Sequence, residues 1–127
     1  MAKKIVKSDK APAPIGPYSQ AVEVGEFLFC SGQIGLNAET GEVASGGVKE
    51  QTEQVMSNIE AVLAAADMKF EHVVKTTIFL TNMADFTTVN EVYGRHFSKN
   101  PPARSTVAVA GLPKGVKVEI EVIARRH

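Results

Sequence analysis

Cysteine is nearly absent from this chain of 127 residues: Cys30 stands alone, so no intrachain disulfide can form. A single thiol fits a reducing compartment, and the cytoplasm is the expected location. Excess charge is absent too. Fourteen Lys and Arg balance 14 Asp and Glu, so no global field draws the chain to nucleic acid or membrane. The basic residues at the ends, Lys3, Lys4, Lys7, Arg125 and Arg126, read as solvated tails rather than a nucleic-acid footprint. No apolar run approaches the roughly 20 residues of a membrane span. The segment Met1 to Lys7 lacks the apolar centre of a secretion signal. His72, His96 and His127 lack the i, i+4 pairing or the cysteine companions of a zinc site, so no metal is expected. Gly46-Gly47 is not followed by the lysine and hydroxyl of a phosphate loop, and no Gly-x-Ser-x-Gly elbow exists. Internal repeats and low-complexity tracts are missing as well.

What is present is ordinary globular material. Hydrophobic residues make up 44% and charged residues 22%, and the length suits one domain, 1–127, with a real core. Lys3 to Lys7 reads as a short edge strand guarded by lysines. Ala11 to Pro17 holds three prolines and a glycine and must be an extended loop. Gln20 to Val24 and Phe27 to Ser31 flank Gly25-Glu26, which suits a type II′ hairpin. Phe27 to Cys30 is almost continuously apolar and is expected to be buried on both faces. Cys30 is expected to be a core thiol with a raised pKa. Leu36 to Gly47 is loop-like. Val48 to Asp67 carries Val48, Val55, Ile59, Val62, Leu63 and Ala66 on one helical stripe. His72 to Leu80 is a strand with Lys75, Thr77 and Phe79 on one face and Val74, Thr76, Ile78 and Leu80 on the other. Asp85 suits the N-cap of a second helix running to Ser98, with Phe86, Val89, Tyr93 and Phe97 as its stripe. This order of elements argues an α+β fold with two helices on one sheet face.

The stretch that organises the chain follows Pro101-Pro102. Arg104 to Val109 and Val116 to Ala124 are strands separated by Gly111-Leu112-Pro113-Lys114-Gly115. If the valines at 107, 109, 116, 118 and 122 face the core, Arg104, Thr106, Ala108 and Ala110 share the opposite face with Glu119. Arg104 and Glu119 then lie about 5 Å apart, or about 10 Å if a strand intervenes. Such a pair can grip an anion through the guanidinium and handle a proton or a water through the carboxylate. The same spacing also fits a surface salt bridge or two unrelated solvated charges. Thr106, Ala108 and Ala110 are small and apolar for a wet surface, and something is expected to cover them.

Pro102-Ala103-Arg104-Ser105, Gly111-Leu112-Pro113 and Val118-Glu119-Ile120 together resemble the signature of the RidA (YjgF/UK114) family of reactive-intermediate deaminases. Ala13 to Ala21, Phe29 to Ile34, Gln54 to Asn58, Val74 to Leu80 and Val89 to Tyr93 fit in order, so the resemblance covers nearly the whole chain. It implies a chorismate-mutase-like mixed sheet with the last strand inside it. It also implies a homotrimer with three sheets around an axis and sites lined by two chains.

The activity implied by the resemblance is hydrolysis of 2-imino acids such as 2-iminobutanoate and 2-iminopropanoate to 2-oxo acids and ammonia. Arg104 and Glu119 would be catalytic. Arg104 would hold the substrate carboxylate with a backbone N–H at Gly32, Ser31 and Asn90 would complete the polar wall, and Tyr18 would close the pocket. Thr106 stands where relatives often carry cysteine, so a thiol is not available there, whereas a backbone carbonyl is. No cofactor is implied, because imines are already electrophilic. The expected partners are small 2-imino and 2-oxo acids and two more copies of the chain, with neither membrane nor nucleic acid. Two readings of other classes stay open: a translation-inhibiting ribonuclease, and a non-catalytic module that binds a small ligand or a regulatory partner in the same pocket. Residues such as Tyr18, Ser31, Gly32 and Asn90 also have bland readings as loop anchors, strand ends and buried amides.

Overall fold

A computed structural model describes residues 2–127. Among these residues seven strands form one mixed sheet, with β1 (Lys4–Val6), β2 (Ala21–Val24), β3 (Phe27–Cys30), β4 (Gln33–Ile34), β5 (Val73–Leu80), β6 (Ala103–Ala108) and β7 (Val118–Arg125). The spatial order is β1-β2-β3-β7-β5-β6, and β4 continues the line of β3 along β7. Only β5 and β6 pair parallel, which a connection through a helix allows. The last strand does run inside the sheet, and β6 is an edge.

The hairpin forms as the sequence predicts. Val24 pairs with Phe27, Gly25 takes φ 61°, and Glu26 stays out of the left-handed region, as a type II′ turn requires. Two helices, α1 (Val48–Ala65) and α2 (Phe86–Gly94), cover one sheet face. The Glu50 carboxylate accepts the Gly47 N–H at 2.8 Å, which stabilises the start of α1 and holds that carboxyl below its usual range. Val55, Met56, Ile59, Val62 and Leu63 of α1 meet Val89, Val92 and Tyr93 of α2 over Thr76, Ile78, Leu80, Val118, Ile120, Val122 and Ala124 of the sheet.

Several local expectations are corrected. Asp85 occupies the N-cap position of α2 as expected, but its side chain makes no capping hydrogen bond. It ends a short 3-10 turn, Met83–Asp85, which Asn82 caps by accepting the Ala84 N–H at 2.9 Å. Helix α2 stops at Gly94 rather than Ser98, because Arg95, His96 and Phe97 donate three residues back and tighten the chain into turns. Val74 is exposed, because a register irregularity between Val73 and Lys75 turns Val73 inward instead. Arg125 and Arg126 are not free tails: they pair with Glu26 at 3.1 Å and Glu23 at 2.9 Å, tying the end of β7 to the hairpin.

The largest correction concerns which face is which. Across the β5–β6 register, Thr76, Ile78 and Leu80 stand beside Arg104, Thr106 and Ala108. The first three lie under the helices, so Arg104, Thr106 and Ala108 belong to the helix side. Ser105 and Val107 therefore point to the uncovered side, with Thr77 and Phe79. Apolar alternation cannot distinguish a face covered by helices from an apolar face left open, and this sheet has both. The open face carries Ile5, Phe27, Phe29 and Val107, each 41–53% exposed, along with Phe79 and Ile123. For that reason β3 is buried on one face only.

Candidate active site

Glu119 is on the open face. It sits between Phe79 on β5 and Ile34 on β4, its register partners on either side. Beneath it the chain passes through Ser31-Gly32, the break between β3 and β4. A β-carbon on Gly32 would overlap the Glu119 carboxylate, lying 2.9 Å from its Cδ and 3.0 Å from its Cγ, so only glycine permits this approach. Partial burial raises the Glu119 pKa above the usual carboxylate range, and the nearby Glu121 charge adds to the effect.

Around this carboxylate lies a cavity of about 400 Å³, walled by Tyr18, Ser31, Gly32 and Glu119 with Ile15, Ile34, Leu36 and Pro113. Its N-terminal wall is the proline-rich loop, which has no ladder of its own. Gln20, 3% exposed, holds that loop in place of a ladder. Its amide donates to the carbonyls of Ser8, Ala11 and Pro12 at 3.1, 3.3 and 2.9 Å, and its oxygen accepts the Ser8 N–H at 2.6 Å. The Ser31 hydroxyl donates to the Ser19 carbonyl at 2.6 Å, and the Ser31 N–H donates to the Gln20 carbonyl at 2.9 Å. Tyr18, half exposed, is left at the mouth.

Helix α1 fixes the remaining walls through amides. Asn58 donates to the carbonyls of Ile34 and Leu36 at 3.1 and 3.0 Å and accepts from Gln54 at 2.9 Å. Gln51 accepts the Lys117 N–H at 2.8 Å, just before β7 begins. Gly35 leaves room for α1, because a β-carbon there would meet the Gln51 carbonyl at 2.8 Å. Lys114, in the loop before β7, takes φ 57° and borders the same cavity.

Arg104 is elsewhere. It stands on the edge strand, on the helix side, beside a shallow pocket lined by Asn90, Tyr93, Gly94, Phe97, Pro101 and Pro102. Its Nη1 donates to Asn90 Oδ1 at 2.6 Å. Thr106 follows two residues along the same face, and its hydroxyl oxygen is buried without a hydrogen-bond partner. Within one chain, Arg104 and Glu119 are thus two strands apart and on opposite faces, which corrects the expectation of a shared face. The structure brings Tyr18, Ser31, Gly32 and Glu119 together, and separately Arg104 and Asn90 with Thr106 near them.

Sequence reasoning assigned no role to the walls at Ile15, Gln20 and Lys114, although Ile15 and Gln20 lie within the Ala13 to Ala21 motif and Lys114 directly follows Gly111-Leu112-Pro113. It also missed that Asn90 serves Arg104 directly; their shared polarity and the α2 stripe were the available signal. Cys30 behaves as expected: partly buried against the core, its thiol is pushed up to about 12 by burial. Among the described residues, no three His, Cys, Asp or Glu converge in a metal-holding group. No helix among them is long and apolar enough to cross a membrane.

Comparison with known proteins places this geometry in a family. The family described as Endoribonuclease L-PSP matches residues 8–126. Protein DfrA of Myxococcus xanthus is 57% identical over 98% of this chain and 96% of its own length. The 2-iminobutanoate/2-iminopropanoate deaminase of Mus musculus is 48% identical, over 96% of this chain and 90% of its own. The crystal structure of E. coli TdcF with bound serine shares 42% identity and a TM-score of 0.93, covering 98% of this chain and 99% of that one. With the match spanning the Gly32–Glu119 cavity and the Arg104 strand alike, the chain belongs to the Endoribonuclease L-PSP family, the one its RidA-like motifs resemble.

Proposed function

We infer that the protein is a 2-imino acid deaminase, hydrolysing 2-iminobutanoate and 2-iminopropanoate to the 2-oxo acids and ammonia. The observation that carries the reading is Glu119: a carboxylate with raised pKa, flanked by apolar side chains and held over a bare glycine at a cavity wall. A base of this kind takes a proton from water as the water oxygen attacks the imine carbon. That proton passes to nitrogen to give a carbinolamine; the carboxylate then takes the hydroxyl proton and delivers it to the same nitrogen, so that the C–N bond breaks as the C=O bond forms, ammonia leaves and the carboxylate is restored. Tyr18 closes the mouth, and Ser31 and the Gly32 N–H complete the polar wall. The names of close relatives and the amino acid held by the E. coli structure support a small carboxylate ligand.

The carboxylate needs a cation, and the reading assigns Arg104 to it, supplied by a neighbouring copy of the chain. Two observations support that arrangement. Arg104 and Glu119 cannot meet within one chain, and the open sheet face is too apolar to be left wet. Three copies packing their open faces around an axis form a closed assembly, with the Arg104 edge of one beside the Glu119 cavity of the next. Asn90 and Thr106 then join the site from the Arg104 side. The reading also keeps the protein in the cytoplasm, without a cofactor, as one domain over residues 1–127.

A coupled assay tests this. Threonine dehydratase generates 2-iminobutanoate, and its decay is followed with and without the protein, subtracting the reaction in water. Faster decay is expected; decay at the rate in buffer would refute the reading.

A further inference from the structure

Arg104 is exposed, yet its head group is held. The guanidinium carbon lies 5.1 Å from the centre of the Tyr93 ring and 5.5 Å from that of Phe86, both within cation–π range. Asn90 takes one of its N–H groups. These three partners sit at i, i+4 and i+7 on α2, one stripe of the helix. Tyr93 is itself fixed. It is 4% exposed, its ring lies 4.7 Å from that of Phe97, and its hydroxyl shares a buried 2.8 Å hydrogen bond with Thr76 Oγ1. Thr76 is the register partner of Arg104 on β5. The strand holds the backbone of Arg104, and the same residue pair, through Tyr93, holds its tip.

We propose that Phe86 and Tyr93 are positioning residues that hold the Arg104 guanidinium on their ring faces, ready to receive the substrate carboxylate. This rests on the reading of Arg104 as the carboxylate-binding group. The choice of aromatic partners has a physical reason. Among the described residues no carboxylate pairs with Arg104. A carboxylate neighbour would order the side chain but cancel its charge. A ring face orders it and leaves the charge and the remaining N–H groups for an incoming anion. Ordering the side chain beforehand removes a rotamer cost that binding would otherwise incur.

The test measures 2-oxobutanoate binding by calorimetry on the assembled protein, with circular dichroism melts to confirm folding. Tyr93→Leu and Phe86→Leu should weaken binding by roughly 3- to 10-fold, the range of a partly exposed cation–π contact. Tyr93→Phe keeps the ring and should bind within about twofold of wild type. Phe86→Leu, at a half-buried position, keeps the test open if Tyr93→Leu does not fold. In an Arg104→Ala background, Phe86→Leu should weaken binding no further, which a merely structural role would not predict. Wild-type binding by folded Phe86→Leu, or equal weakening in both backgrounds, would overturn the proposal. Undiminished binding by Arg104→Ala itself would instead overturn the carboxylate role of Arg104, and the positioning role with it.

Discussion

The Glu119 carboxylate lies directly against the bare Cα of Gly32, closer than any side chain at position 32 could tolerate. Gly32→Ala should therefore push the carboxylate aside. We expect a folded protein destabilised by about 1–3 kcal/mol, as for other overpacked sites, with deaminase activity reduced far more than stability. Thermal melts and the coupled assay, run on the same preparation, measure both quantities. Wild-type turnover in Gly32→Ala would refute the close approach as a functional constraint.

The raised pKa of Glu119 gives a second expectation, with opposite signs for stability and activity. Burial, then Glu121, disfavours its charged form. Its contribution to stability is full below the unfolded carboxyl pKa and is lost as pH rises through the higher folded value. Glu119→Gln removes that loss, so at neutral pH it should melt at or above the wild-type temperature. Turnover should fall by ~10²-fold or more if general base catalysis dominates, with 2-oxobutanoate still bound. The acid limb of wild-type activity should have its midpoint above the usual carboxylate range and vanish in the variant.

If Arg104 and Glu119 come from different copies, two dead variants can rescue one another. Arg104→Ala and Glu119→Gln should each be inactive alone. Random co-assembly at equal amounts would pair an intact Arg104 with an intact Glu119 at about a quarter of the sites in a closed ring. Co-refolded mixtures should regain about that share of wild-type turnover. No recovery in mixed oligomers, verified by mass, would place both groups in one chain and refute the shared site.

The open face gives a fourth test. Phe29 is 46% exposed and pairs across the sheet with Ile123. Phe29→Glu should place an unpaired charge in the proposed interface and yield monomers or insoluble protein without activity. Ala108, on the face that the sequence suggests is covered, pairs with Leu80 on the helix side and so lies outside this open face. Sedimentation equilibrium of the wild type should give a trimer mass; an active monomer at micromolar concentration would count against the assembly.

Thr106 supplies the last. Its hydroxyl oxygen is buried without a partner, and such a group costs about 1–3 kcal/mol in desolvation. Thr106→Val should be at least as stable as wild type by urea titration. Retained turnover would assign any role at this position to the backbone, whereas lost turnover with a sound fold would assign it to the hydroxyl.

Much of this was legible beforehand, and the failures have physical causes. The Gly25-Glu26 hairpin, the α1 stripe and the Ile78–Leu80 face follow from local chemistry that needs no partner. The facing of β6 does not, because valines alternate identically whether a helix or another protein surface lies beyond them. Arg104 and Glu119 are legible as chemical groups, but their separation depends on strand order and on parity at an edge. Asn90 is legible as a polar residue near the α2 stripe, while its sharing of the Arg104 head group with Tyr93 and Phe86 emerges only in the folded chain. Val74 shows the limit of period-two reasoning, which one irregularity reverses.

The amides of α1 bear on how the protein loses activity. Gln51 and Asn58 hold the loops beside β4 and β7 through a few directional bonds, whereas the sheet beneath is secured by extensive apolar burial. Warming should release the loops first, since their opening exposes little apolar area and needs only those bonds to break. Inactivation would then precede melting and reverse on cooling, so that the temperature range for catalysis is narrower than the range over which the chain stays folded.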